Sequence, residues 1–212
     1  METIMEINER SIDQLIAYWK EYIGNYELPT WDNIPDFGLY MEQVVIYLRK
    51  ELNYLDKSSE SESIITAAAI NNYVRKKFMP QPIKKRYYRT HLAYLLILCA
   101  LKPSLSISVI QSLIPMSAGE EELHHFYDAF RQQHKRSAEY FITRIERLKR
   151  LVVKDELFGN AFKDPATEIV VDVALLSSFT KILSGKLISY DTALPGIFEE
   201  NLEGSPNSQD DI

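Results

Sequence analysis

This chain has one cysteine, seven glycines and, between Ser63 and Gly119, no aspartate or glutamate at all. A lone cysteine excludes an intramolecular disulfide. Cys99 ends the apolar run Tyr94-Leu95-Leu96-Ile97-Leu98-Cys99, which predicts a buried thiol and not a nucleophile. So few glycines disfavour a turn-rich β architecture and any glycine-rich phosphate loop. There is no N-terminal signal pattern, and no apolar run reaches the ~20 residues of a membrane span. A cytoplasmic protein with no membrane partner is expected. No nucleophile–base pairing and no HExxH stand in the sequence. Glu121 and His125 lie four apart with His124 adjacent, but two potential ligands do not make a site. No enzyme, cofactor or metal centre is expected.

What is present is segregated charge. The chain is acidic overall, at net −6, yet residues 63–119 carry eight Lys or Arg against no acid. Seven of these are Arg75, Lys76, Lys77, Lys84, Lys85, Arg86 and Arg89. Residues 1–62 hold 13 acids and five bases, and residues 187–212 hold six acids with no Lys or Arg. A cationic block inside an acidic chain suggests a surface built for a polyanion. A second basic group, Arg131, Lys135, Arg136, Arg144, Arg147, Lys149 and Arg150, is interleaved with Asp128, Glu139 and Glu146 and reads as a solvated helix face.

Hydrophobic periodicity is helical almost throughout. Ile12, Leu15, Ile16, Trp19 and Ile23 share a face, with Gly24 as the stop. A second helix is expected from near Asp36, striped by Met41, Val44, Val45, Leu48, Leu52 and Leu55. Residues 56–63 are polar and serine-rich, a loop. Thr66 suits the N-cap of a short helix over 67–78, stopped before Pro80 and Pro82. Residues 83–88 suit a short extended or hairpin segment. An apolar helix over 90–101 ends at Pro103, and Ser106 caps another over 107–114. From Ser117 to Val153, Leu123, Tyr127, Phe130, His134, Ser137, Phe141, Ile145, Leu148 and Val152 recur at spacings of three and four. That predicts a helix of roughly 30 residues and ~45 Å with a coiled-coil-like seam. Pro165 opens a last helix that ends near Gly185, and the tail after Tyr190 is expected to be disordered.

The order of these elements is similar to the DNA-binding domain of the mercury-resistance-regulator (MerR) superfamily. The stretch Thr66 to Pro80 stands where that superfamily places its recognition helix, Lys84 to Arg89 where it places a basic wing, and Leu105-Ser106 at a later helix cap. Over residues 34–115 the chain also resembles the bacterial family catalogued as domain of unknown function 1836. Ile34-Pro35-Asp36, Leu39 to Val44, Ile70-Asn71-Asn72-Tyr73-Val74 and Lys84 to His91 carry that resemblance. It implies a winged-helix fold and transcription-factor activity. Tyr88 departs from the family, which places a small capping residue there.

The combined expectation is an all-α protein with a MerR-like winged helix-turn-helix domain, a small β wing, and a long-helix region after it. Residues 1–115 would form the DNA-binding domain with an N-terminal helical support. Residues 116–190 would form a dimerisation or sensing region, and 191–212 an acidic tail. The expected function is a DNA-binding transcriptional regulator, a repressor in preference to an activator. Double-stranded DNA is the expected partner, bound by a homodimer under an unknown small-molecule or protein effector. The expected contact residues are Asn71, Asn72, Tyr73, Arg75, Lys76, Lys77, Lys84, Lys85, Arg86, Tyr87 and Arg89. Cations neutralise phosphates, and short amides read adenine edges. The alternative is an adaptor whose basic patch docks an acidic protein.

Overall fold

The computed structural model describes residues 9–24, 26–55, 65–115, 119–153 and 165–193. Among them run seven α-helices. These are α1 (Glu9–Gly24), α2 (Met41–Glu51), α3 (Ala67–Arg75), α4 (Arg89–Leu101), α5 (Ile107–Leu113), α6 (Glu120–Val153) and α7 (Pro165–Ala193). No β-strand occurs among the described residues. Two isolated bridges remain, Leu39 with Tyr87 and Ile83 with Arg86. The all-α expectation holds, and the expected β wing is replaced by a turn. The reason is length. Ile83 and Arg86 exchange both backbone hydrogen bonds across Lys84-Lys85, at 3.0 and 2.9 Å, and Tyr87 is already committed to Leu39.

Local chemistry sets the helix ends. Thr66 Oγ1 accepts from the Ala69 N–H at 3.0 Å and starts α3. Ser106 Oγ accepts from the Val109 N–H at 3.4 Å and starts α5. Tyr88 offers no side-chain cap to α4. Its own N–H donates instead to His91 Nδ1 at 3.1 Å. That acceptor role leaves the ring proton on Nε2, which donates to the Gln81 carbonyl at 2.9 Å. Gln43 does the same for α2, accepting from the Tyr40 N–H at 2.9 Å. This helix starts at Met41 and not near Asp36, because Leu39 is held extended by two backbone bonds to Tyr87.

The core is built round α4, where every residue from His91 to Cys99 is buried. A helix buried on all sides must be apolar on all sides; α2, α5 and α6 pack against it. Burial pushes the Cys99 thiol up to about 12, so it stays protonated and inert. The core runs past residue 115, because Leu123 and Tyr127 of α6 belong to it. The Tyr127 hydroxyl donates to the Pro29 carbonyl at 2.8 Å. His124 stacks on Trp31 at 4.6 Å and pairs with Asp128 at 3.3 Å. That is a structural post, and among the described residues no group of three His, Cys, Asp or Glu could hold a metal.

The chain divides into two compact units, Met1–Asp172 and Val173–Ile212. Within the first, α1 lies along α6, and Ile16 packs with Ile145 and Ile169. Lys20 pairs with Glu146, and Arg144 with Asp172 at 3.1 Å. Phe130 and Phe141 are half-buried. The Leu148 side chain, the polar loop at 56–63 and the tail from 194 lie outside the described residues. The last helix reaches Ala193, well beyond the end expected near Gly185.

One titration is legible in α6. Burial holds the His134 imidazole below its usual value of 6.5, and Tyr54 Oη lies within hydrogen-bond distance at 3.1 Å. The unfolded chain therefore binds the extra proton first as pH falls below 6.5. Stability from this site is complete above that pH and declines below it. The melting temperature should fall between pH 7 and pH 5.5, and His134→Gln should flatten the fall. An unchanged pH profile in the variant would assign the fall to another group.

Candidate nucleic-acid interface

Helix α3 has one buried and one open side. Ile70 and Tyr73 point into the core. Ala67, Ala68, Asn71 and Arg75 are exposed, with Asn72 half-buried beside them. Asn71 and Asn72 are adjacent but not equivalent. Arg75 Nη2 donates to Asn72 Oδ1 at 3.0 Å, whereas Asn71 stands on the open face. The two alanines are small enough to let the first turn approach a surface closely, a signal that cation counting misses.

The helix ends in a Schellman motif built on a lysine. The Phe78 N–H donates to the Tyr73 carbonyl at 2.8 Å and the Lys77 N–H to the Val74 carbonyl at 3.0 Å. Lys77 occupies the left-handed position at φ 58°, where glycine is usual. The motif ends α3 at Arg75 and leaves Lys76 and Lys77 exposed just beyond it, not in the helix expected to reach residue 78.

The turn at 83–86 repeats the substitution twice. Lys84 and Lys85 have φ 49° and 65°. Two central residues at positive φ make a hairpin turn of the kind that favours Asn-Gly. Each non-glycine residue there costs about 1 kcal/mol or more. Three of the six exposed cations of the block thus sit at backbone positions where lysine is disfavoured. Strain of this sort clusters at functional positions.

The base of the turn is fixed on both sides. Gln81 donates from Nε2 to the Val74 carbonyl at 3.1 Å, tying the turn to the end of α3. Tyr87 is clamped to Leu39. The Arg86 guanidinium lies 4.8 Å from the Tyr40 ring centroid and donates to its hydroxyl at 3.0 Å. Beneath it, a Cβ on Gly38 would come within 2.9 Å of Arg86 Cβ, so glycine lets the two segments close. Phe37, Tyr40 and Ile83 are 64 %, 49 % and 57 % exposed, an apolar rim on this turn.

Three of the expected contact residues are spent elsewhere. Tyr73 and Tyr87 are core residues, 4 % and 3 % exposed, and burial pushes the Tyr73 hydroxyl up to about 12. The helical period faces Tyr73 inward, and the bridge to Leu39 does the same for Tyr87. Arg89 donates from Nε to the Ile34 carbonyl at 3.1 Å and lies 3.8 Å from Asp36, so it holds the loop before α2. By contrast, among the described residues Arg75, Lys76, Lys77, Lys84, Lys85 and Arg86 form no ion pair. The α6 cations differ: Arg131 and Lys135 share Glu27, and Arg144 takes Asp172. The two basic groups separate on this pairing.

Residues 29–130 match the model of a family described as domain of unknown function (DUF1836). The match takes in α2 to α5, the turn and the first part of α6. No curated protein and no solved structure matches the chain. No helix of the described residues is long and apolar enough to cross a membrane.

Proposed function

We propose that the protein, whose residues 29–130 match the DUF1836 model, is a DNA-binding transcriptional regulator that grips duplex phosphates with α3 and the Lys84-Lys85 turn. The observation that carries the proposal is the placing of three lysines, none ion-paired among the described residues, at left-handed backbone positions. A solvated face would not need them there. Glycine or asparagine would close the same turns with less strain. Retaining lysine is explained by a charge requirement, and a chain at net −6 holds no other acid-free stretch as long as residues 63–119.

In this reading the parts act separately. Lys76, Lys77, Lys84, Lys85 and Arg86 supply sequence-independent affinity by displacing counterions. Asn71, on the open side of α3, reads a base edge, and Ala67 and Ala68 let the helix enter the groove. The Arg75–Asn72 bond orients the guanidinium. The element order α2, α3, turn, α4, α5 supports a winged helix-turn-helix of MerR type with the wing reduced to a turn. Two copies would meet two half-sites about one helical turn apart, as a cytoplasmic repressor.

Replacing Lys84-Lys85 by Asn-Gly tests the carrying observation. The variant should raise the melting temperature, since about 1–2 kcal/mol of backbone strain is relieved. It should also bind random duplex at least tenfold more weakly. A variant that is more stable and binds DNA equally well would leave the charge without a purpose. The exposed rim of Phe37, Tyr40 and Ile83 favours a second reading, docking of an acidic protein segment, because aromatic side chains are enriched at protein interfaces. Retention on random DNA that fades with salt separates the two.

A further inference from the structure

Five exposed apolar side chains lie close together in the second compact unit. Leu175, Phe179, Ile182, Leu183 and Leu187 of α7 are each 51–63 % exposed. Their spacing of three and four places them on one side of the helix. Ser177, Ser178, Thr180, Lys181, Ser184 and Gly185 occupy the other. The segment is therefore amphipathic, with its apolar side open. A helix face of this kind is not stable in water without a covering surface.

We infer that a second copy of this chain covers it, through antiparallel pairing of α7 with α7. The spacing is self-complementary. Leu175 and Leu187 lie six residues either side of Lys181, and Phe179 and Leu183 lie two either side. A two-fold axis at that level sets Phe179 opposite Leu183 of the second copy and Leu175 opposite its Leu187. Such a mirror arrangement is what an isologous interface requires. The area also suffices. Five side chains with about 100 Å² each in the open, plus flanking Leu176, approach the low end of specific interfaces, about 600 Å² per partner.

Charge selects no other partner. From Val173 to Tyr190 the only charged residues are Lys181 and Lys186. Lys181 points away from the stripe, so its copy across the axis is not a repulsive neighbour. Lys186 falls within the stripe, where its aliphatic stem covers apolar surface and its ammonium reaches water. The inference concerns α7 alone and does not rest on DNA binding.

Light scattering on the full chain at micromolar concentration tests it. The expected mass is twice the chain's 24.6 kDa. Phe179→Glu with Leu183→Glu should give the single-chain mass with helical content retained, and Lys181→Glu, on the polar side, should stay dimeric. Leu187→Ser is a milder change and should raise the dimer dissociation constant at least tenfold. A wild-type chain that runs as a monomer overturns the inference. So does a dimer whose dissociation constant is unmoved by Leu187→Ser.

Discussion

Reversing the turn's charge, with Lys84→Glu, Lys85→Glu and Arg86→Glu together, is expected to weaken binding to random duplex DNA by on the order of 100- to 1,000-fold near 0.1 M salt. Each lost phosphate contact removes about 0.9 from the salt exponent, so three remove about 2.7 decades relative to 1 M salt. The loss should fall equally on all sequences, since no side chain between Lys84 and Arg86 is built to read a base edge. Folding should survive, because all three side chains are exposed and the turn is closed by backbone bonds from Ile83 and Arg86. Gel-shift titration on random and mixed-sequence duplexes reads the effect. The charge-matched comparison is Lys85→Glu alone against Arg136→Glu on α6, also exposed, which should change binding less than about threefold. Equal effects from the two sites would make the interaction a matter of net charge and not of this surface.

The largest stability effect is expected at the centre of α4. Leu95 is fully buried, with buried neighbours at every position from His91 to Cys99. Truncation removes its transfer free energy and leaves a cavity walled by helices that cannot close on it. Leu95→Ala should cost about 2–5 kcal/mol. Leu113, in α5 but 43 % exposed, should cost under about 1 kcal/mol when replaced by alanine. Denaturant unfolding measures both. A loss below about 1 kcal/mol at Leu95 would mean that α4 is not the hub of the core.

The sequence carried the helices well where the signal is local. Thr66 and Ser106 are caps whose side chains act within three residues, and both start a helix where expected. The apolar run from Leu92 to Cys99 admits no solvent-facing side, so its burial follows from composition. Pro165 opens α7 as its fixed φ allows.

Misreadings arise where a distant residue decides. Leu39 looks like the first turn of a helix, but Tyr87, 48 positions away, holds it extended. Tyr73 and Tyr87 sit beside cations in sequence and so read as contacts with them. Their burial depends on which face meets α4, and neighbouring charge does not encode that. The partner of α6 is equally remote: α1, about 100 residues upstream, packs along it. Within the candidate site the cations were legible as a block. Their backbone strain was not, since a lysine at φ 58° or 65° reads in sequence like any other lysine. Nor could spacing separate Asn71 from Asn72; the Arg75 hydrogen bond does.

Six cations that form no ion pair among the described residues make up the proposed phosphate-binding surface. The most direct measurement is the affinity of the full chain for random duplex DNA between 0.05 and 0.3 M salt. If Arg75, Lys76, Lys77, Lys84, Lys85 and Arg86 each neutralise one phosphate, log affinity against log salt should fall with a slope of about −5. A slope between 0 and −1, or no retention on DNA at 0.05 M salt, would contradict it.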